Sequence, residues 1–338
     1  MSDRALYLKA AEDLRPNDKQ WQAYESGGHC VLLAGPGSGK TKTLTVKLAR
    51  MLSEDVEDPR GIACITYNNE CARELEMRLD GLGIAPGGRV FIGTVHSFSL
   101  TQILLPYAKV AGLGLPDDFQ VATRRQTRAA LENAHAKVIK GPENPQTWDF
   151  RLGQHRRRFL NRDVDAWKTV DPQLTRLVEA YEAELRQMGV IDFDDMPLLA
   201  LRALATNAWL RKAIAAKYPI LAVDEYQDLG RALHAMVMGL CFSAGIRLFA
   251  VGDVDQSIYG FTGANPELLK KLSERDDVET VRLGLNYRCG SQIVTASEYA
   301  LGEARGYRAP DGAHEGTIYF HPCTGGYAAQ ARYLIEQL

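Results

Sequence analysis

Near-continuous apolar runs recur along the chain. HCVLLAG (29–35), GIACITY (61–67), RVFIGTVH (89–96), YPILAVDE (218–225) and IRLFAVGD (246–253) are short and end close to Gly, Asp, Asn or His. Strands buried on both faces read this way, and they belong to parallel sheets covered by helices. TKTLTVKLARML (41–52) and NECARELEMRL (69–79) have helical spacing and predict crossover helices. The pattern is that of a doubly wound α/β fold.

Between about 100 and 190 the strand-like runs stop. QTRAALENAHAKVI (126–139) and DPQLTRLVEAYEAELRQM (171–188) predict helices there, and we read a helical insertion between strands of the sheet. After about 285 a new unit starts, with a helix at SQIVTASEYAL, a strand at GTIYFHP and a last helix at YAAQARYLIEQL. The expected organisation is a first domain in two parts, 1–99 and 190–285, an inserted helical subdomain at 100–189, and the start of a second domain at 286–338.

Composition changes this picture little. The 338 residues are 46% hydrophobic and 24% charged, enough for a sizeable core. A formal net charge of −2 means that any basic surface is local. The six cysteines form no CxxC pair and no zinc-like cluster with histidine, which predicts reduced thiols and a cytoplasmic protein. The first twenty residues lack the apolar core of a signal peptide, and no apolar run approaches the roughly 18 residues of a membrane span.

AGPGSGKT (34–41) lies between a predicted strand and a predicted helix and matches a phosphate-binding loop, with Ala34 where Gly is commoner. Gly35, Gly37 and Gly39 can take positive φ and turn backbone N–H groups toward a phosphate; Pro36 and Ser38 complete the loop. The helix N-terminus adds partial positive charge. Lys40 would reach the β/γ-phosphates and Thr41 would hold Mg²⁺, so ATP with Mg²⁺ is the expected ligand pair. ILAVDEYQD (220–228) brings Asp224 and Glu225 to a strand's C-terminal end, where ligands of open α/β sheets collect. Asp224 would hold Mg²⁺, and Glu225 would orient and deprotonate the attacking water. Two adjacent acids favour hydrolysis over transfer to a substrate hydroxyl. A P-loop kinase is the competing reading, and it gives no reason for the paired aromatics near residue 260.

Taken in order, NDKQWQAY (17–24), AGPGSGKT, ITYNNECAREL (65–75), GTVHSF (93–98), IDFDDM (191–196), VDEYQD (223–228), VGDVDQSIYGFTGA (251–264) and LNYRCGSQI (285–293) resemble the successive motifs of UvrD/Rep/PcrA-like superfamily 1 DNA helicases. The resemblance covers nearly the whole chain. It implies a RecA-like P-loop NTPase sheet with a helical insertion, followed by an incomplete second RecA-like domain. By the same resemblance Gln20 reads adenine, Tyr287 stacks on it, and Arg288 and Gln256 approach the γ-phosphate. It further assigns Tyr67, Tyr259 and Phe261 to stacking on bases of single-stranded DNA, a contact worth ~1–3 kcal/mol per base. Thr94, His96 and Ser97 would touch backbone phosphates. RLGQHRRRFLNR (151–162), with five arginines and no acid, lies in the insertion; Arg156, Arg157 and Arg158 would contact DNA, unless they serve a solvated helix face or pair with Asp163 and Asp165.

Two positions depart from the family pattern. Lys42 replaces the usual Arg after the P-loop, which loosens adenine preference, and Thr262 replaces an Arg after the second ring, which predicts weaker single-strand affinity. The family's later motifs, including one that supplies a second arginine to the γ-phosphate, are not found in these residues. The expectation is the ATP-binding and ATP-hydrolysing core of a 3′–5′ helicase that engages single-stranded DNA or a single/double-strand junction, poor at hydrolysis and unwinding without a second motor domain. The alternative is an ATP-responsive single-strand-binding or docking module completed by a protein partner. In the stretch 252–264, Gln256 would face nucleotide and the two rings would face bases, so the segment would join two sites.

Overall fold

All five apolar runs form strands of one parallel sheet. The structure is a computed structural model, and it describes residues 3–85, 88–257, 264–302 and 305–337. The strands in chain order are β1 (His29–Ala34), β2 (Ile62–Thr66), β3 (Val90–Thr94), β4 (Gln120–Val121), β5 (Val190–Ile191), β6 (Ile220–Val223), β7 (Arg247–Gly252) and β8 (Val278–Leu283). Six of them make the sheet, in the order β3-β2-β6-β7-β1-β8. Alternate residues serve two cores. Val31, Leu33, Ile65, Leu221, Val223 and Leu248 face one layer of helices, and Cys30, Leu32, Ile62, Cys64, Ile220 and Phe249 face the other. Burial on both faces is why these runs are continuously apolar.

β8 has no counterpart among those runs. VETVRL is interrupted rather than continuously apolar, with Val278, Val281 and Leu283 buried while Glu279 and Arg282 are exposed. Such a half-buried edge strand has no continuous apolar run to reveal it. The other extra pair, β4 with β5, joins Gln120 to Val190 and Val121 to Ile191. It closes the neck of the helical insertion.

The insertion has its own core. Thr123 and Gln126 form a reciprocal capping box that starts the helix Arg124–Val138. Asp171 caps the helix Pro172–Gln187, whose first position is proline. Between them run the helices Asp149–Arg158 and Asp165–Thr169. Ala130, Leu131, Ala134, Leu152, Trp167, Leu177, Val178 and Leu185 pack together under these helices. This core starts later in the chain than the expected boundary at 100, because Ile103 and Leu104 are buried in the sheet's core instead.

The chain divides into two compact units, residues 1–34 with 39–283, and residues 35–38 with 284–338. The second unit carries the helices Ser291–Leu301 and Gly326–Gln337. Asn286 N donates to Arg308 O and Arg308 N to Gly284 O, both at 2.9 Å. The strand expected at GTIYFHP does not form: residues 316–322 have no regular structure, and Tyr319 and Phe320 are exposed. A strand needs a neighbour to satisfy its backbone, and among the described residues of this unit the pairing is a single bridge, Leu285 to Arg308. None of the described helices is long and apolar enough to cross a membrane.

Candidate nucleotide site and its flanking surface

β6, β7 and β1 are neighbours and parallel, so their C-terminal ends share one edge. Leu33 of β1 lies opposite Gly252 of β7, and Ala250 of β7 opposite Val223 of β6. Continuing from these ends, the chain supplies Lys40, Asp224, Glu225 and Gln256 to the same edge. Lys40 Nζ is the meeting point. It donates to Glu225 Oε2 at 3.4 Å and to Gln256 Oε1 at 3.3 Å. One cation thereby joins residues that lie 185 and 216 positions from it in sequence.

Glu225 holds a left-handed backbone, φ 49° and ψ 47°. For a residue with a side chain this costs ~1–3 kcal/mol, and the surroundings must enforce it. They do so through the next two residues. Tyr226 is buried with its hydroxyl 2.8 Å from His234 Nδ1, and the buried Gln227 donates from Nε2 to Glu225 Oε2 at 2.7 Å.

Acid is concentrated here. Burial, then the neighbouring Glu225 charge, pushes the Asp224 carboxyl up to about 7. The same causes in the same order push Asp228 up to about 6, and burial raises Asp253. Asp224 Oδ1, Asp228 Oδ1 and Asp253 Oδ2 are buried without a hydrogen-bond partner. A buried, unsatisfied carboxylate oxygen is costly unless a cation completes it. The donor chemistry at Asp224 therefore fits a hard divalent cation. Among the described residues no three His, Cys, Asp or Glu side chains are grouped to cage an ion. Mg²⁺ suits that arrangement, because it is commonly held by one or two protein oxygens together with substrate phosphates.

Gln20 is buried, on a helix Asp18–Glu25 started by Asn17, whose side chain accepts from Lys19 N and Gln20 N. A Cβ built on Gly39 would fall 2.4 Å from Gln20 Nε2, so Gln20 lies directly against the end of the glycine loop. The following helix, Lys40–Arg50, carries half-buried Thr41 at its start. Lys42 points elsewhere, 3.4 Å from Asp13 on the surface. Lys47 carries no motif signal in the sequence. It is 2% exposed, and its Nζ donates to Tyr24 O and Ser26 O, which ties the end of the Gln20 helix to the loop's own helix.

In the second unit, Gly35, Pro36, Gly37 and Ser38 pack with the segment around residue 287. Tyr287 N donates to Gly37 O at 2.9 Å. Gly37 has φ +65°, and a Cβ there would lie 2.6 Å from Arg288 Cβ. Asn286 Oδ1 accepts from Arg288 N and Cys289 N, both at 2.9 Å, and shapes the turn. Tyr287 and Arg288 are both exposed at this loop.

Known proteins resemble this chain over most of its length. A family model described as the UvrD/REP helicase N-terminal domain matches residues 16–277. The chain belongs to the UvrD/Rep helicase family. It is 31% identical to the ATP-dependent DNA helicase Rep of Escherichia coli over 295 residues, covering 85% of this chain and 43% of that protein. It is 27% identical to DNA helicase II of the same organism, covering 95% and 45%. Against the ATP-dependent DNA helicase PcrA of Leuconostoc citreum the identity is 29%, covering 84% and 39%. The chain thus spans less than half the length of these helicases, and it forms an α/β helicase-family motor domain.

The surface expected to meet DNA is more divided. Tyr67, just past β2, is half-buried and packs on the core below the sheet. Thr94 caps the short helix Val95–Phe98, accepting from Ser97 N, and Ser97 Oγ donates to Thr94 O at 2.9 Å. His96 stacks on Phe193, centroids 3.6 Å apart. Burial, with Arg157 adding to it, lowers His96 to about 4, so the ring is neutral at neutral pH. Phe193 is 62% exposed and is an aromatic face that sequence reasoning missed; the signal was present in IDFDDM. Tyr259, Phe261 and Thr262 lie outside the described residues.

Most of the arginine cluster expected to contact DNA is taken up by acids of the fold. Arg156 is fully buried and cannot touch DNA. Its guanidinium pairs with Glu182 at 2.9 Å and with Asp192 and Asp195, each at 2.6 Å. Arg157 pairs with Asp194 at 2.8 Å. These partners come from IDFDDM and from the helix Pro172–Gln187, not from Asp163 or Asp165. Arg158 alone of the three is exposed.

Proposed function

We propose that this domain binds and hydrolyses ATP and couples that cycle to a grip on single-stranded DNA, within a helicase moving 3′ to 5′. The observation that carries the reading is Lys40 Nζ lying between Glu225 and Gln256. Lys40 Nζ is thus shared with the residue that would activate water. An incoming triphosphate offers Lys40 a stronger anion and releases the Glu225 carboxylate to take a proton from water.

Thr41 and Asp224 would hold Mg²⁺, which would neutralise developing phosphate charge. Gln256 would orient toward the γ-phosphate once Lys40 turns to the β/γ-oxygens. Gln20, held against Gly39, would read the adenine edge with an amide that both donates and accepts. Tyr287 would stack on the base, and Arg288 would supply a planar cation to the γ-phosphate. On the DNA side, Tyr67, Tyr259, Phe261 and the exposed face of Phe193 would stack on bases, with Thr94, Ser97, neutral His96 and Arg158 serving the backbone. A cytoplasmic setting accords with reduced cysteines.

The test is steady-state ATP turnover of the intact protein with and without single-stranded DNA, compared with Glu225→Gln. Turnover stimulated by DNA in the parent and abolished in the variant, with nucleotide still bound, is the expected result. Undiminished turnover in Glu225→Gln would overturn the assignment of the base.

A further inference from the structure

Gln227 lies between the two acidic loops of the sheet edge and takes no part in the chemistry above. It is 1% exposed, and both ends of its amide are committed. Nε2 donates to Glu225 Oε2 at 2.7 Å, and Oε1 accepts from Asp253 N at 2.9 Å. The amide has one workable orientation, because a flip would set its carbonyl against the Glu225 carboxylate and its NH₂ against an N–H. β7 makes room for it with Gly252, where a Cβ would fall 2.6 Å from Gln227 Oε1.

We propose that Gln227 is a positioning residue for hydrolysis, which holds the Glu225 carboxylate after Lys40 has left it and links that carboxylate to the loop following β7. The inference rests on the reading of Glu225 as the base. Lys40 and Gln227 donate to the same oxygen, Oε2, at 3.4 and 2.7 Å. When Lys40 moves to phosphate, the shorter bond remains, and Oε1 is the oxygen left to accept a proton. The link runs the other way too. Asp253 O accepts from Gln256 N at 3.3 Å, and Ser257 Oγ donates to Gln227 O at 3.5 Å. A shift of the loop that leads toward the expected DNA-stacking rings therefore reaches the base through two hydrogen bonds, Asp253 to Gln227 and Gln227 to Glu225.

The experiment uses single-turnover ATP hydrolysis by the intact protein, with nucleotide affinity and melting temperature measured on each variant. Gln227→Met removes every hydrogen bond of the amide, the longer one from Nε2 to Asp228 Oδ2 at 3.5 Å included; Gln227→Glu keeps the acceptor for Asp253 N but loses the donor and sets a second carboxylate against Glu225. Both should slow the chemical step by ~10–100-fold, the cost expected of a misplaced reacting group, while ATP affinity is unchanged. DNA stimulation should fall further in Gln227→Met than in Gln227→Glu. Hydrolysis at the parental rate in both variants, with Glu225→Gln inactive, overturns the role of Gln227 and leaves the base reading standing. A parallel loss of rate and ATP affinity also overturns it, because it marks a merely structural amide. Activity retained in Glu225→Gln overturns the base reading itself.

Discussion

Gly37 and His96 show how far single residues can be read from type alone. A glycine in a phosphate loop is expected to take positive φ, and Gly37 does, at +65°. The second constraint, the close approach of Arg288 Cβ, involves a residue about 250 positions away and is invisible in the motif. Gly37→Ala should therefore lose nucleotide binding by more than φ strain alone explains; isothermal titration with a non-hydrolysable ATP analogue measures it, and Gly88→Ala, also at positive φ but with open space around it, is the control. His96 was expected to meet phosphate, yet burial keeps it neutral. Its folded value, about 4, lies below the ordinary 6.5, so below pH 6.5 the unfolded chain takes up a proton that the folded chain refuses. Stability from this residue is complete above pH 6.5 and is lost as pH falls toward 4. Urea unfolding at pH 7 and pH 4.5 should show the parent losing about 2–3 kcal/mol more than His96→Phe, whose ring can still stack on Phe193.

At the scale of elements, ion pairs and buried polar groups decide placement. Arg156 binds three carboxylates from two segments and locks the insertion's helices to the strand that re-enters the sheet domain at Val190–Ile191. Removing one member of such a buried set strands the others, at about 3–5 kcal/mol. Arg156→Met should lower the melting temperature sharply. Arg158→Ala should leave it unchanged while weakening single-strand binding and reducing the salt dependence by about 0.7 for each phosphate that the side chain neutralised. A run of arginines looks the same in sequence whether it faces solvent or acid; only the fold of IDFDDM onto the helix Asp149–Arg158 separates the two. Lys47 is a similar case. Lys47→Met takes the Lys47 donor from Ser26 O, just past the Gln20 helix, while Tyr24 O keeps Arg50 Nη1; the loss is about 1–3 kcal/mol, and thermal denaturation should report it. Titration with ATP and GTP should show weakened preference for adenine if Gln20 reads the base.

At the scale of the whole molecule, the intact protein should open a duplex bearing a 3′ single-stranded tail and leave one with a 5′ tail paired; a strand-displacement assay with both substrates decides the direction. The direction rests on the family resemblance, whereas the sheet itself was largely present in the sequence. Doubly buried strands need unbroken apolar runs, so the sheet was legible as local pattern; glycines and lysine at fixed spacing and acids at strand ends likewise singled out Lys40, Asp224 and Glu225 as candidates. What required the tertiary structure was everything set by the meeting of distant segments. The order of the strands, the edge strand β8, the failure of residues 316–322 to pair, the burial of Arg156 and the clasp of Gln227 on Glu225 each depend on which partner arrives from elsewhere in the chain. A side chain's type limits what it can bind, but the desolvation and geometry that select among those options exist only once the segments have packed.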